Sequence, residues 1–216
     1  MKFRLILDRA RPAAENMAID EALMQAQKKP ESVPTLRFYA WERPSVTIGY
    51  FQDIEAVQKR FKNIPVVKRP TGGGLVLHGN DLTFSLSIKT PNSFLPGDVK
   101  ASYLKINEVL IDGLRELFPG LDFADCKSLP KAGQKGERIC FEQPCCYDLM
   151  LDGKKVAGSS QRRQAGTLLH QSTLFLKGER EALIRNIIEA FERKWGIEFY
   201  EGLESPRARA LANSFF

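Results

Sequence analysis

Chemistry in this 216-residue chain can come from a glycine turn, a few thiols and a pair of strand lysines. Val66-Val67-Lys68-Arg69-Pro70-Thr71 leads into Gly72-Gly73-Gly74; Leu75-Val76-Leu77-His78 and Leu82-Thr83-Phe84-Ser85-Leu86 follow. The spacing reads as strand, glycine turn, strand. Consecutive glycines pack nothing and lose backbone entropy on folding, so they serve a special φ/ψ or a close backbone approach. With Lys68 and Arg69 adding exposed positive charge in front, they suggest a backbone cradle for an extended acyl chain or a phosphate. A plain hairpin turn is the alternative. His78 reads either as a core histidine with its hydrogen bonds satisfied or as a residue that shapes a pocket, rather than one that moves a proton.

The cysteines are Cys126, Cys140, Cys145 and Cys146. They form no Cys-x-x-Cys pair, and the histidines lie far apart, so no metal site is expected. Without an export signal they are expected to be thiols, which leaves one reactive thiol among structural ones as the chemical option. A free thiol titrates near about 8.5 and is only a few per cent thiolate at neutral pH. A neighbouring ammonium lowers that value. Lys155 follows the Asp152-Gly153 hairpin, so it could approach Cys140, and it could also stabilise the oxygen of a tetrahedral intermediate. Read alone, Cys140 between Ile139 and Phe141 also suits a buried inert thiol. Lys155 and Lys154 likewise suit solvated strand lysines. Cys126, Cys145 and Cys146 read as incidental, with Cys145 the reserve nucleophile.

These residues need elements to hold them. Phe3 to Leu7 alternates and reads as a first strand. Pro12 opens a helix to about Gln27, with Met17, Ala18, Leu23 and Met24 at helical spacing and Glu15, Asp20 and Glu21 placed early, where the helix dipole favours acids. Thr35–Tyr39 and Ser45–Tyr50 read as strands around a turn, and Asp53 starts a short helix to Phe61. A helix from Lys100 to Phe118 carries a broad apolar face. Residues 122–136 read as a long loop. Strands are expected at Arg138–Glu142, Tyr147–Leu151, Lys154–Arg163 and Thr167–Leu176. A last helix runs from Glu179 to about Trp195, and the tail from Gly196 reads as weakly structured or helical. The total, about nine strands and four helices, predicts an α+β fold with a mixed, mainly antiparallel sheet flanked by helices.

Composition sets outer limits. A hydrophobic fraction of 43% and a charged fraction of 27% are ordinary for a soluble domain. No apolar run reaches the roughly 18 residues of a membrane span. The N-terminal apolar stretch stops at Asp8, too short for a signal peptide, so the cytoplasm is expected and a membrane is not. A net charge of +6, spread along the chain, suits an acidic protein partner better than nucleic acid. A monomer is expected.

The chain resembles the lipoate/biotin protein ligase and octanoyltransferase superfamily through ordered motifs between about residues 12 and 175. Glu15-Asn16-Met17-Ala18-Ile19-Asp20-Glu21-Ala22-Leu23 is similar to its first helix. Leu36 to Trp41, then Pro44 to Gln52, is similar to its paired early strands. Arg69-Pro70-Thr71-Gly72-Gly73-Gly74 with His78 is similar to its acyl-pocket loop, and Gly153-Lys154-Lys155-Val156-Ala157-Gly158-Ser159 to the motif carrying its invariant lysine. The resemblance implies the biotin/lipoate ligase catalytic fold, class II synthetase-like. It implies one domain over residues 1–216, without the accessory domain that ATP-dependent ligases usually carry or recruit. It also implies Arg69, Thr71, Gly72, Gly73, Gly74, His78, Gly158 and Ser159 as substrate-binding residues.

Ile139-Cys140-Phe141-Glu142-Gln143-Pro144 resembles the nucleophile segment of the cysteine-dependent octanoyltransferases. That branch implies Cys140 and Lys155 as catalytic residues and octanoyl-acyl carrier protein as donor. It implies a lysine of a lipoyl domain or of the glycine-cleavage H protein as acceptor, and no cofactor. The rival readings are an ATP-dependent lipoate ligase working through lipoyl-AMP, and a non-catalytic acyl or cofactor binder. One departure stands at Leu169-His170-Gln171-Ser172-Thr173, where Gln171-Ser172 occupies the family's His-Gly position. Another is Cys145-Cys146, where the branch often has Ser-Trp.

Overall fold

The computed structural model describes residues 1–125 and 144–201. Its strands are β1 (Lys2–Arg11), β2 (Thr35–Trp41), β3 (Ser45–Ile48), β4 (Val66–Lys68), β5 (Val76–His78), β6 (Leu82–Lys89), β7 (Asp122–Phe123), β8 (Leu149–Leu151), β9 (Lys154–Gln164), β10 (Thr167–Leu174) and β11 (Glu198–Glu201). Its helices are α1 (Ala13–Ala26), α2 (Ile54–Arg60), α3 (Val99–Leu114) and α4 (Arg180–Trp195). One sheet has the order β11-β1-β2-β6-β10-β9-β8-β7 and a smaller one the order β4-β3-β5. In the large sheet β1 runs parallel to β11 and β2, and the remaining pairs are antiparallel. The mixed, mainly antiparallel α+β sheet expected from the strand pattern is therefore present.

The faces of the large sheet differ because strand residues alternate. One face buries Leu36, Phe38, Phe84, Leu86, Leu168 and Leu174 against α3 and α4, which supply Ile106, Leu110, Leu114, Leu183, Ile187 and Phe191. The apolar stripes of these helices have the 3.6-residue period that such a face requires. Asp98 caps α3 by accepting from the Ala101 amide at 2.8 Å, and Gly196 ends α4 at φ 59°. The opposite face is polar and is covered by α1, which packs on β6 and β10 on one side and on β3 and β4 on the other. Asp152 and Gly153, at φ 50° and 73°, make the tight β8–β9 turn that the Asp-Gly pair predicts.

Several expectations are corrected. The tail is a strand where it begins: β11 pairs in parallel with β1, because Phe199 packs on the same core as Phe3. The two early strands, β2 and β3, belong to different sheets and do not pair. The glycine stretch is not a hairpin either. β4 and β5 lie on opposite sides of β3, so residues 69–75 cross over its end. The strand expected at Arg138–Glu142, Cys126 and Cys140 lie outside the described residues.

His170 faces the helix side of β10, fully buried near Phe84 and Tyr103. The Gln161 side-chain oxygen accepts from Ser102 and Arg163, so its amide group donates to His170 Nδ1 at 3.1 Å. That leaves Nε2 carrying the hydrogen, with no hydrogen-bond partner among the described residues. Burial first, then Arg163, pulls the imidazole down to about 3. The folded value lies below the ordinary one of 6.5, so this stability is present above pH 6.5 and is lost as pH falls toward 3. Between pH 7 and pH 5 the loss from this group is about 2 kcal/mol. His170→Phe should show that much less acid destabilisation than the wild type in denaturant titrations at the two pH values; equal slopes would refute it.

Candidate functional site

The sheet's polar face and the small sheet border a half-open pocket lined by Met17, Tyr39, Trp41, Thr47, Arg69, Val76, His78, Thr83, Gly158–Ser160, Gln171 and Thr173. Strand register explains its floor. Gly158 lies opposite Thr173, Thr173 opposite Thr83, and Thr83 opposite Tyr39, one row crossing β9, β10, β6 and β2. The next row, Ser160, Gln171, Ser85 and Arg37, runs beneath α1.

Lys155 enters this geometry through a bulge. β8 and β9 pair Leu149 with Ala157 but Met150 with Lys155, so Val156 is an extra residue. Val156 and Ala157 both join the helix-side core. Alternation is thereby reversed, and Lys155 emerges on the pocket face as the next same-face position after Gly158. Unbulged, it would share the face of Ala157. Its Nζ lies 2.7 Å from Asp148 Oδ2, with only 3% of the lysine side chain exposed. The same carboxylate oxygen accepts from the Cys145 amide at 2.6 Å. Burial raises Asp148 above the usual carboxylate range, with Lys155 and the amide opposing. Lys154 is exposed, and so are Cys145 and Cys146.

The glycine loop is held from within. Arg69 is buried, and its guanidinium donates to the carbonyls of Gly72 at 2.6 Å and Gly74 at 2.7 Å. Lys68 is exposed as expected, whereas the Arg69 charge is turned inward to close the loop. Where the loop crosses β3, a Cβ on Gly49 would sit 2.0 Å from the Gly73 carbonyl oxygen, so no side chain fits there. Gly73 itself is at φ 91°.

Two buried carboxylates settle the direction of the hydrogen bonds around the pocket. Asp20, on α1, accepts from Arg37 at 2.8 Å, Ser85 at 2.7 Å, Tyr39 at 2.9 Å and the Gln171 amide at 2.7 Å. Gln171 must then turn its oxygen to Thr71, which donates to it at 2.6 Å. The Thr71 oxygen, its one proton so placed, accepts from Ser160 at 2.7 Å. Asp81 accepts from His78 Nδ1 at 2.8 Å, Thr83 at 2.7 Å and Trp41 at 3.2 Å. Burial, then Arg69, lowers His78 against the pull of Asp81 and keeps it neutral. Its Nε2 therefore accepts from Thr47 at 2.8 Å. The hydroxyl protons of Tyr39, Thr47, Thr71, Thr83 and Ser160 all point away from the pocket. A lining that looks polar by residue type can thus hold an alkyl chain without stranding a donor, a penalty of about 1–3 kcal/mol per group.

Of the residues singled out in the sequence, Arg69, His78, Gly158 and Ser159 line the pocket, and Thr71 is bonded to residues that do. Gly72, Gly73 and Gly74 form the loop around Arg69. Gln171 is a joint of the network. Asp20, Asp81 and Ser160 were missed as site residues. Asp20 sits where a helix-dipole reading accounts for an acid, and Asp81 and Ser160 carry no periodic signal.

A family model described as the lipoyl protein ligase A/B catalytic domain matches residues 12–206. Octanoyltransferase LipM of Kyrpidia tusciae is 40% identical over 179 residues, 79% of this chain and 65% of that protein. Octanoyltransferase LipM of Moorella thermoacetica is 34% identical over 214 residues, 91% of this chain and 75% of that one. The chain thus spans about two thirds to three quarters of the length of these relatives. The solved structure of protein Ta0514 of T. acidophilum, with bound lipoic acid, matches at TM-score 0.74 and 24% identity, covering all of this chain and 95% of its own.

Proposed function

Since this chain belongs to the lipoyl protein ligase A/B catalytic-domain family, we propose that it is an octanoyltransferase acting through a thioester on Cys140. The observation that carries this reading is Lys155: a buried side chain, turned by a bulge to the sheet face that carries the pocket and ion-paired there with Asp148. The names of the LipM relatives support the same activity. Cys140 lies outside the described residues. On either side of its segment, the Ala124 amide donates to the Asp148 carbonyl at 2.8 Å and the Cys145 amide to Asp148 Oδ2 at 2.6 Å, and Asp148 is the partner of Lys155.

In the first step the Cys140 thiolate adds to the thioester carbonyl of octanoyl-acyl carrier protein. The new C–S bond forms, the carrier's C–S bond breaks, and the carrier sulfur leaves as a thiolate that takes up a proton. Thioester exchange is nearly isoenergetic, so no nucleotide is required. Lys155 favours the attacking thiolate and the oxyanion of the intermediate. In the second step the neutral amine of an acceptor lysine attacks the Cys140 thioester. The C–N bond forms, the amine loses a proton, and the cysteine thiolate is restored. The acceptor is a lipoyl domain or the glycine-cleavage H protein.

Intact-mass analysis after mixing with octanoyl-acyl carrier protein, without nucleotide, should show one octanoyl group on the chain. Cys140→Ser should lose the thioester and slow transfer by at least about 10³-fold. Full transfer activity in that variant would overturn the mechanism, and lipoyl-AMP formed from lipoate and ATP would replace it with a ligase.

A further inference from the structure

Helix α3 carries one residue that packing does not explain. The stripe it turns to the core runs through Ile106, Val109, Leu110 and Leu114, and Asn107 stands within it, 2% exposed. An amide there is a poorer helix former than leucine and costs free energy unless it is hydrogen-bonded. Asn107 Oδ1 has no hydrogen-bond partner among the described residues. Its Nδ2 donates at 2.6 Å to the carbonyl oxygen of Tyr147, on the segment that leads into β8.

That carbonyl belongs to a turn that needs holding. The Asp148 amide donates to the Cys145 carbonyl at 3.1 Å, which closes a turn over residues 145–148 with Tyr147 in third place at φ 70°. Glycine or asparagine fills such a place by preference, because a side chain there crowds the next carbonyl oxygen. Tyrosine is held in it through a single peptide plane. The Tyr147 carbonyl and the Asp148 amide are the two ends of that plane, the first fixed by Asn107 and the second by Cys145. The following carbonyl, that of Asp148, accepts from the Ala124 amide at 2.8 Å. The Asp148 Cα is thus clamped between two fixed planes, which sets the direction of its side chain. Its Oδ2 meets Lys155 Nζ at 2.7 Å and the Cys145 amide at 2.6 Å. Helix α3 covers the other face of the sheet from Lys155, so Asn107 reaches the lysine only through the backbone that enters β8.

We propose that Asn107 is a positioning residue of the acyl transfer, holding the 145–148 turn so that Asp148 keeps Lys155 in place on the pocket face. This deepens the acyl-transfer reading and rests on it for the role of Lys155. The test reads Lys155 directly and needs no acyl donor: brief acetylation of the folded chain with acetic anhydride, scored by tandem mass spectrometry against the exposed Lys154 beside it. Asn107→Leu, close in volume and without the donor, should acetylate Lys155 at least about fivefold faster relative to Lys154 than the wild type does. Its kcat for octanoyl transfer should fall about 10- to 100-fold, with KM changed by less than about twofold. Asn107→Ala lacks the same donor and carries the test if the leucine variant does not fold. Tyr147→Gly added to Asn107→Leu supplies a residue that the turn prefers, and should bring back most of the protection and of the rate. Val109→Ala, which opens a cavity on the same helix, should lower the denaturant midpoint without exposing Lys155 or slowing transfer. Lys155 as protected as in the wild type in a folded Asn107 variant, no return with Tyr147→Gly, or equal exposure in Val109→Ala would reduce Asn107 to packing. An exposed Lys155 with undiminished transfer would overturn its part in the reaction. A wild type that transfers no octanoyl group, yet loses the protection on Asn107→Leu, would instead overturn the transfer mechanism and leave the hold on Lys155 standing.

Discussion

Lys155→Met should reduce octanoyl transfer by about 10²–10³-fold, the loss typical when one preorganised stabiliser of a developing oxyanion is removed. Methionine has a similar length and leaves the volume beside Gly158 filled, so the change isolates the charge. The fold should survive, for a specific reason. Breaking a buried ion pair ordinarily strands its partner at a cost of about 3–5 kcal/mol. Here burial already raises Asp148 above the usual carboxylate range, with Lys155 and the Cys145 amide holding it down. Without the ammonium it rises further, which makes a neutral carboxyl still bonded to the Cys145 amide easier to reach and eases that penalty. Denaturant midpoints should therefore fall modestly while activity falls steeply. The rate of alkylation of the reactive thiol should also shift to higher pH, because the cation that favours the thiolate is gone. Transfer reduced by less than about tenfold, with an unchanged alkylation profile, would remove Lys155 from the chemistry.

The position of Lys155 shows where reading from sequence stops. The Asp152-Gly153 turn is a local signal, and it correctly predicts a hairpin with Lys155 on its return strand. The bulge at Val156 is not local. It exists because Leu149 and Ala157 must both face the helix-side core while Asp148 and Lys155 meet on the other face, a condition set by two strands together. The glycine loop behaves similarly. Three glycines announce close approach, but the partner in that approach is Gly49, which becomes its neighbour only because β4 and β5 flank β3. Arg69 looks like surface charge from composition and is a staple of loop carbonyls in the structure. The sheet class, the apolar faces of α3 and α4 and the placement of His78 follow from periodicity and turn chemistry. The direction of the hydrogen bonds does not, because it depends on two carboxylates brought together with β2, β6 and β10 by the fold.

Asp20 is where that dependence has its largest consequence. Asp20→Leu removes the acceptor of four hydrogen bonds and leaves Arg37, fully buried, with Asp8 as its remaining ion-pair partner. Equilibrium unfolding should show a loss of about 3–5 kcal/mol, a large part of the 5–15 kcal/mol that holds most domains together, read as a lower midpoint with unchanged slope. Asp20→Asn should separate stability from binding. Both carboxylate oxygens face donors only, and Arg37 cannot become an acceptor, so the new amide must put its oxygen toward Arg37 and its NH2 toward Gln171. Gln171 then turns over to accept, and its own NH2 faces Thr71. Thr71 accepts from Gln171 and donates to Ser160, whose hydroxyl proton is driven into the pocket. The bonds from Arg37 and Ser85 keep their direction and those of Tyr39, Gln171, Thr71 and Ser160 reverse, so every bond survives, the stability loss should be only about 1–2 kcal/mol, and the Tyr39 hydroxyl proton loses its acceptor as the Ser160 one does. The cost reappears on filling the pocket, where an alkyl chain now covers a donor without a partner. Octanoate should bind about five- to tenfold more weakly to Asp20→Asn than to the wild type. Ser160→Ala in the same background deletes one of the two misdirected protons, the other being that of Tyr39, and should restore part of that affinity. Weakening that persists in full in the double variant would show that Asp20 shapes the pocket only by holding α1 in place.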